Sequence, residues 1–126
     1  EPNKNVILWL QAQDEANLFL SILTFGELQK GIQKDPDQNR KKKLKIWIEE
    51  DLKKRFENRI IPIDLKVVTN WGSIQGLAEL AGRTMPTLDG LIAVSGLTYN
   101  CAIATRNTSD MEQSTAELFN PWEYKE

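Results

Sequence analysis

The chain predicts an α/β fold, a three-layer α/β/α sandwich in which helices cover both faces of a parallel sheet. Three observations lead there. Short apolar runs rich in β-branched residues alternate with longer stretches of helical periodicity. That alternation is the pattern of parallel strands joined by crossover helices, which bury the sheet on both sides. The length, 126 residues, suits one domain with a real core, and 40% apolar with 27% charged residues is the balance of a folded protein.

In chain order, Val6, Trp9 and Leu10 with Gln13 outline a short helix, and Leu18-Phe19-Leu20-Ser21-Ile22 reads as a buried strand. Phe25, Leu28 and Ile32 then recur at helical spacing until Asp35-Pro36-Asp37 breaks the helix. Leu44, Trp47, Ile48, Leu52 and Phe56 repeat at three and four residues, one apolar stripe on a long helix. Ile60-Ile61-Pro62-Ile63 is a second strand, and Val67, Val68, Trp71, Ile74, Leu77, Ala78 and Ala81 mark an amphipathic helix ending at Gly82. Residues 89–99 are nearly all apolar and predict a buried helix, 101–105 a third strand, and the tail from Glu117 through Trp122 a last short one. Nothing in the chain reads as an internal repeat, a low-complexity stretch or a linker, so 1–126 is expected to be a single domain.

Composition removes several chemistries. With no histidine and one cysteine, the chain has no Cys/His zinc site, no Ser-His-Asp triad and no histidine pair for cleaving RNA. Catalysis must rest on carboxylates, hydroxyls, Lys or Arg. A net charge of -2 gives no strong field toward nucleic acid, so such binding needs a local basic patch. Cys101, within Cys101-Ala102-Ile103-Ala104, reads as a buried structural thiol. No apolar run is long enough to cross a bilayer, and Glu1-Pro2-Asn3-Lys4 lacks the pattern of a signal peptide, so the expectation is a cytoplasmic protein without membrane partners.

Function in open α/β sheets gathers at the carboxyl ends of the strands. Glu27 follows the first predicted strand, Asp110 lies in the turn Thr105-Arg106-Asn107-Thr108-Ser109-Asp110 after the third, and Asp89 opens the buried helix behind Pro86-Thr87-Leu88. Carboxylates on neighbouring loops suit Mg²⁺ or Mn²⁺, hard cations that prefer oxygen and can activate water beside a phosphate. Singly, each residue has a plainer reading: Asp89 and Asp110 as helix caps, Glu27 as an exposed helical acid.

Four segments in order carry a resemblance: Thr24-Phe25-Gly26-Glu27-Leu28-Gln29-Lys30-Gly31, Pro86-Thr87-Leu88-Asp89-Gly90-Leu91-Ile92-Ala93, Thr105-Arg106-Asn107-Thr108-Ser109-Asp110 and Phe119-Asn120-Pro121-Trp122. Together they resemble PIN-domain ribonucleases of the VapC toxin type. The resemblance implies the toxin half of a bacterial toxin–antitoxin pair, a metal-dependent endoribonuclease using Mg²⁺ or Mn²⁺ and silenced by a cognate antitoxin protein. It implies metal ligation by Glu27, Asp89 and Asp110, with Thr105 and Asn107 orienting the site. The family also begins with a central apolar strand bearing a further acidic residue, which nothing before Glu1 supplies, so the domain is expected to lack its natural first strand. Met111 stands where the family usually has an aromatic residue.

Other features stay open. Arg106 is a candidate contact for the scissile phosphate or a surface residue. The basic run Arg40-Lys41-Lys42-Lys43, with Lys45 and Lys53-Lys54-Arg55, reads as phosphate-binding strip or solvated helix surface. Trp9, Trp47 and Trp71 occupy apolar helical faces and predict core or partner contacts. The stripe from Leu44 to Phe56 and the face near Trp9 are expected to meet an antitoxin helix or a second copy in a homodimer. Two other classes compete: a catalytically inactive PIN-like module that docks an antitoxin or RNA, and a phosphoacceptor receiver domain, whose late-strand lysine is replaced here by Arg106 and whose acidic pair after the first strand is missing.

Overall fold

The computed structural model describes residues 3–125, and its strands are far shorter than the apolar runs that encode them. β1 (Leu20–Ser21) pairs in parallel with β2 (Ile60–Ile61), Leu20 opposite Ile60. β3 (Ile103–Ala104) pairs in parallel with β4 (Leu118–Phe119), Ile103 opposite Leu118. Parallel pairing agrees with the predicted sheet type, but among the described residues the strands form two pairs of two residues each. Local chemistry shortens them. The Ser21 hydroxyl accepts the backbone N–H of Leu23 at 3.2 Å, capping a helix that begins at Ile22 where strand was predicted. Pro62 has no N–H to offer a ladder and ends β2. Contacts divide the chain into two units, Phe19–Ile61 and the remainder.

In the unit Phe19–Ile61, α2 (Ile22–Lys34) ends at Asp35, whose carboxylate accepts both Nε and Nη2 of Arg40 at 2.6 and 2.7 Å. Asp37 caps α3 (Gln38–Ile46) through the backbone N–H groups of Asn39 and Arg40. The helix then widens into a π-helical stretch, Trp47–Leu52, before closing in α4 (Lys53–Arg55). Of the predicted stripe, Ile48, Leu52 and Phe56 are buried with Ile32, at successive spacings of four. Trp47, one position off that line, is 41% exposed, so the stripe is narrower than predicted. The first strand is also not the buried element expected, since Phe19 and Ile22 lie open to solvent.

In the other unit, α1 (Lys4–Ala12) lies against the tail: Asn5 Nδ2 donates to the Trp122 carbonyl at 2.6 Å, and the Trp9 and Phe119 rings sit 5.6 Å apart. Trp9 thus meets the tail of its own unit, while Ile7 and Leu10 on the same helix stay exposed. Asp64 caps α5 (Leu65–Leu80), accepting the Val67 N–H at 3.0 Å, and also accepts the Tyr99 hydroxyl. α5 packs on α6 (Thr87–Thr98), and Val67, Gln75 and Ala78 are its buried residues; Leu77, assigned to the apolar stripe, is 69% exposed. Val67, Ala93 and Val94 are fully buried and centre this core, with Met85 and Met111. Gly96 is required where α6 meets β3: a Cβ there would stand 2.3 Å from Ile103 Cδ1 and 2.8 Å from the Cys101 carbonyl. Cys101 is only half-buried, because its strand begins two residues later than predicted. No described helix is long and apolar enough to cross a membrane.

Candidate metal centre

Asp89 and Asp110 are brought together from positions 21 residues apart by the turn of α6 toward β3 and the short α7 (Thr108–Met111) that follows. Neither is a helix cap. Pro86 occupies the N-cap of α6 and Asn107 that of α7, and each carboxylate stands in the first turn, where the N-terminal end of a helix favours negative charge. Partial burial, and then the negative charge of Asp110, push the Asp89 carboxyl above the ordinary carboxylate range. A second acid close enough to disfavour ionisation of the first is the electrostatic signature of a place that a cation would relieve.

The scaffold behind Asp89 is tightly specified. Gln75, buried on α5, grips the loop before α6 through both faces of its amide: Nε2 donates to the Met85 carbonyl at 2.8 Å, and Oε1 accepts the Met85 N–H at 3.3 Å. Gly90, next to Asp89, leaves room for Trp71. A Cβ at Gly90 would stand 3.2 Å from Trp71 Nε1 and 3.3 Å from Met85 Cε. The Trp71 indole N–H is buried without a hydrogen-bond partner among the described residues, a cost accepted to bring α5 against the first turn of α6. Of the core or partner contact expected of Trp71, the structure shows a contact within its own unit. Gln75 is a structural residue that no motif marks; a polar residue four positions after Trp71, on the buried face of an amphipathic helix, is its signal in the sequence.

Asp110 is held by the turn leading into α7. Thr105 extends the β3–β4 pairing, donating its N–H to the Phe119 carbonyl at 2.8 Å, and its Oγ1 accepts the Asn107 N–H at 3.0 Å. The Asn107 carbonyl in turn accepts the Asp110 N–H at 3.1 Å. Met111 is 2% exposed and anchors the turn from below, filling the position of the expected aromatic residue. Arg106 is exposed, with its guanidinium carbon 5.3 Å from the centroid of the Trp122 ring. Glu27 belongs to the unit Phe19–Ile61; it is exposed on the second turn of α2.

The donor set suits a hard divalent cation in kind, since Asp89 and Asp110 offer only oxygen and an uncompensated negative charge. In number it is small: among the described residues no three His, Cys, Asp or Glu side chains gather closely enough to hold an ion between them.

Comparison with known proteins places these features in a family. The PIN domain model matches residues 1–113. A VapC ribonuclease of Sinorhizobium fredii is 29% identical over 123 residues, covering 98% of this chain and 88% of that protein. Toxin FitB of Neisseria gonorrhoeae is 29% identical over 122 residues, covering 97% and 88%. The crystal structure of FitAcB from Neisseria gonorrhoeae superposes with a TM-score of 0.92 at 28% identity, over 98% of this chain and 88% of that one. The α/β architecture with parallel strand pairs is accordingly the PIN fold, and the chain belongs to the PIN-domain family.

Proposed function

We propose that this protein is a metal-dependent endoribonuclease, the toxin of a toxin–antitoxin pair, which hydrolyses RNA phosphodiester bonds in the cytoplasm. The observation that carries the reading is the acidic pair: a half-buried Asp89 whose ionisation is opposed by Asp110, at the carboxyl edge of a parallel strand pair. Membership of the PIN family and similarity to a VapC ribonuclease and to toxin FitB support it. Asp89 and Asp110 would hold Mg²⁺ or Mn²⁺, with Glu27 as the third acidic ligand. The ion, when bound, would supply an activated water and neutralise charge on the phosphate.

The protein's own groups do the rest. Asp89, opposed by Asp110 and partly withdrawn from water, gains most from a cation, so charge neutralisation and positioning coincide at one atom pair. Thr105 and Asn107 hold the Asp110 turn, the Thr105 hydroxyl accepting the Asn107 N–H and the Asn107 carbonyl the Asp110 N–H, which keeps the second carboxylate in place without using a further charge. Arg106, whose N–H donors lie in one plane, offers a fork for a non-bridging phosphate oxygen.

A cognate antitoxin would silence the site, and a homodimer is the expected assembly. A single PIN-like domain belongs to the same proposal. The absence of a third close ligand among the described residues favours a second reading, an inactive PIN-like module that docks an antitoxin or RNA. Calorimetric titration with Mn²⁺ and a cleavage assay on long single-stranded RNA separate the two. Mn²⁺ binding with EDTA-sensitive cleavage supports the nuclease, while folded protein that neither binds Mn²⁺ nor cuts leaves the docking module.

A further inference from the structure

Arg106 and Trp122 leave the same edge of the β3–β4 pair. Arg106 lies two residues past Ala104 and Trp122 three past Phe119, and those two strand ends are register partners. Trp122 is fixed from three sides. Its N–H donates to Asn120 Oδ1 at 2.9 Å, its carbonyl accepts Asn5 Nδ2 at 2.6 Å, and the preceding Pro121 is buried. Arg106, by contrast, is exposed and has no carboxylate partner among the described residues; its guanidinium carbon sits 5.3 Å from the indole centroid. A guanidinium held by an aromatic face is restrained through its flat π surface while its N–H donors remain in the plane, free to bind an anion.

We infer that Trp122 is a positioning residue that presents Arg106, through the Arg106–indole contact, as a phosphate fork for the backbone of single-stranded RNA entering beside Asp110. The inference rests on the nuclease reading for the identity of the substrate. It adds a residue, Trp122, and a division of labour: the carboxylate pair holds cation and the Arg106–Trp122 pair holds anion, four residues apart in sequence at Arg106 and Asp110. The long side chain of an exposed arginine otherwise samples many rotamers, and an indole carried on a backbone that Asn5 and Asn120 hold by hydrogen bonds reduces that freedom before substrate arrives. Lysine at position 106 would keep the charge but lose both the planar contact and the paired donors.

The test measures binding of a fluorescein-labelled single-stranded RNA by anisotropy in EDTA, where no cleavage occurs, over a series of salt concentrations, with thermal melts as the folding control. Arg106→Gln should weaken binding by about tenfold and lower the slope of log affinity against log salt by about 0.7, the loss of one phosphate contact on a single strand. Trp122→Leu should weaken binding several-fold in the parent and not at all in the Arg106→Gln background, since its effect passes through the arginine. Trp122→Phe, which keeps an aromatic face and guards against misfolding of the Leu variant, should stay near the parent, and Arg106→Lys should fall between parent and Arg106→Gln. An unchanged affinity and salt slope in Arg106→Gln overturns the inference. So does a Trp122→Leu loss that persists undiminished in the Arg106→Gln background, which would make the indole an independent base-stacking platform. Parent protein that fails to bind this RNA also overturns it. Mn²⁺-dependent cleavage by the parent is scored separately, so failure of the nuclease reading is recognised independently of the Arg106–Trp122 result.

Discussion

The indole nitrogen of Trp71 lies 3.2 Å from the point where a Cβ on Gly90 would stand, one residue from Asp89. The candidate site is therefore tied to the α5–α6 packing by a missing methyl group. Gly90→Ala should destabilise by about 1–3 kcal/mol, the usual range for overpacking a filled site. Trp71→Phe removes a buried donor that has no partner among the described residues and should relieve the crowding as well. The two substitutions should couple, with Gly90→Ala costing at least about 0.5 kcal/mol less in the Trp71→Phe background. Urea denaturation of the four proteins of this cycle measures it, and strict additivity would show that the two residues do not touch.

Asp89→Asn should abolish measurable Mn²⁺ binding and reduce any RNA cleavage by at least about a hundredfold, the scale of an essential electrostatic group. Folding should survive. Burial and Asp110 raise the Asp89 carboxyl in the folded state, so its ionised form is disfavoured there relative to the unfolded chain. The relative stability it gives at low pH is lost as pH rises through the raised value. Asparagine carries no such loss, so the variant should be at least as stable as the parent at neutral pH and less sensitive to pH below it. A variant that melts well below its parent at pH 7 would contradict this.

The same carboxyl can be followed directly. In the parent, the Asp89 side-chain carbon should titrate above the ordinary range in NMR spectra recorded without metal. In Asp110→Asn it should move part of the way back and stay raised, because burial is the larger of the two causes. A full return to the ordinary range would reverse that order of causes, and no movement would mean that the two acids are not neighbours.

Asp35 gives an acid-side signature for the unit Phe19–Ile61. The bidentate bond from Arg40, with a further one from the Asp37 N–H, lowers its pKa from 3.8 to about 2. Stability from this pair is complete above the unfolded value and fades as pH falls through the folded one. Parent and Arg40→Gln should therefore differ by a constant amount above about pH 4 and converge toward pH 2. Urea midpoints across that range decide it, and a difference that persists undiminished at pH 2 would assign the loss to packing instead of charge.

Glu27→Gln tests the third proposed ligand. The side chain is exposed, so melting should be unchanged while Mn²⁺ affinity and cleavage fall. Unaltered affinity would leave Glu27 as a surface acid on α2.

By itself, the sequence determined the order and type of the elements, because apolar periodicity is a local property written along the chain. The helices at Phe25 to Ile32 and at Leu91 to Leu97 follow directly from it. Strand lengths were not legible, since whether Ile22 extends a strand or opens a helix depends on the Ser21 hydroxyl finding the Leu23 N–H. The acids were readable as candidates from their place after strands, but their electrostatics were not. Only tertiary structure decided that Asp89 is half-buried and within reach of the Asp110 charge, that Gln75 grips Met85, and that Arg106 rests on Trp122. These relations join residues 10 to 21 positions apart, and burial and Coulomb interaction depend on distance in space, which chain separation does not encode.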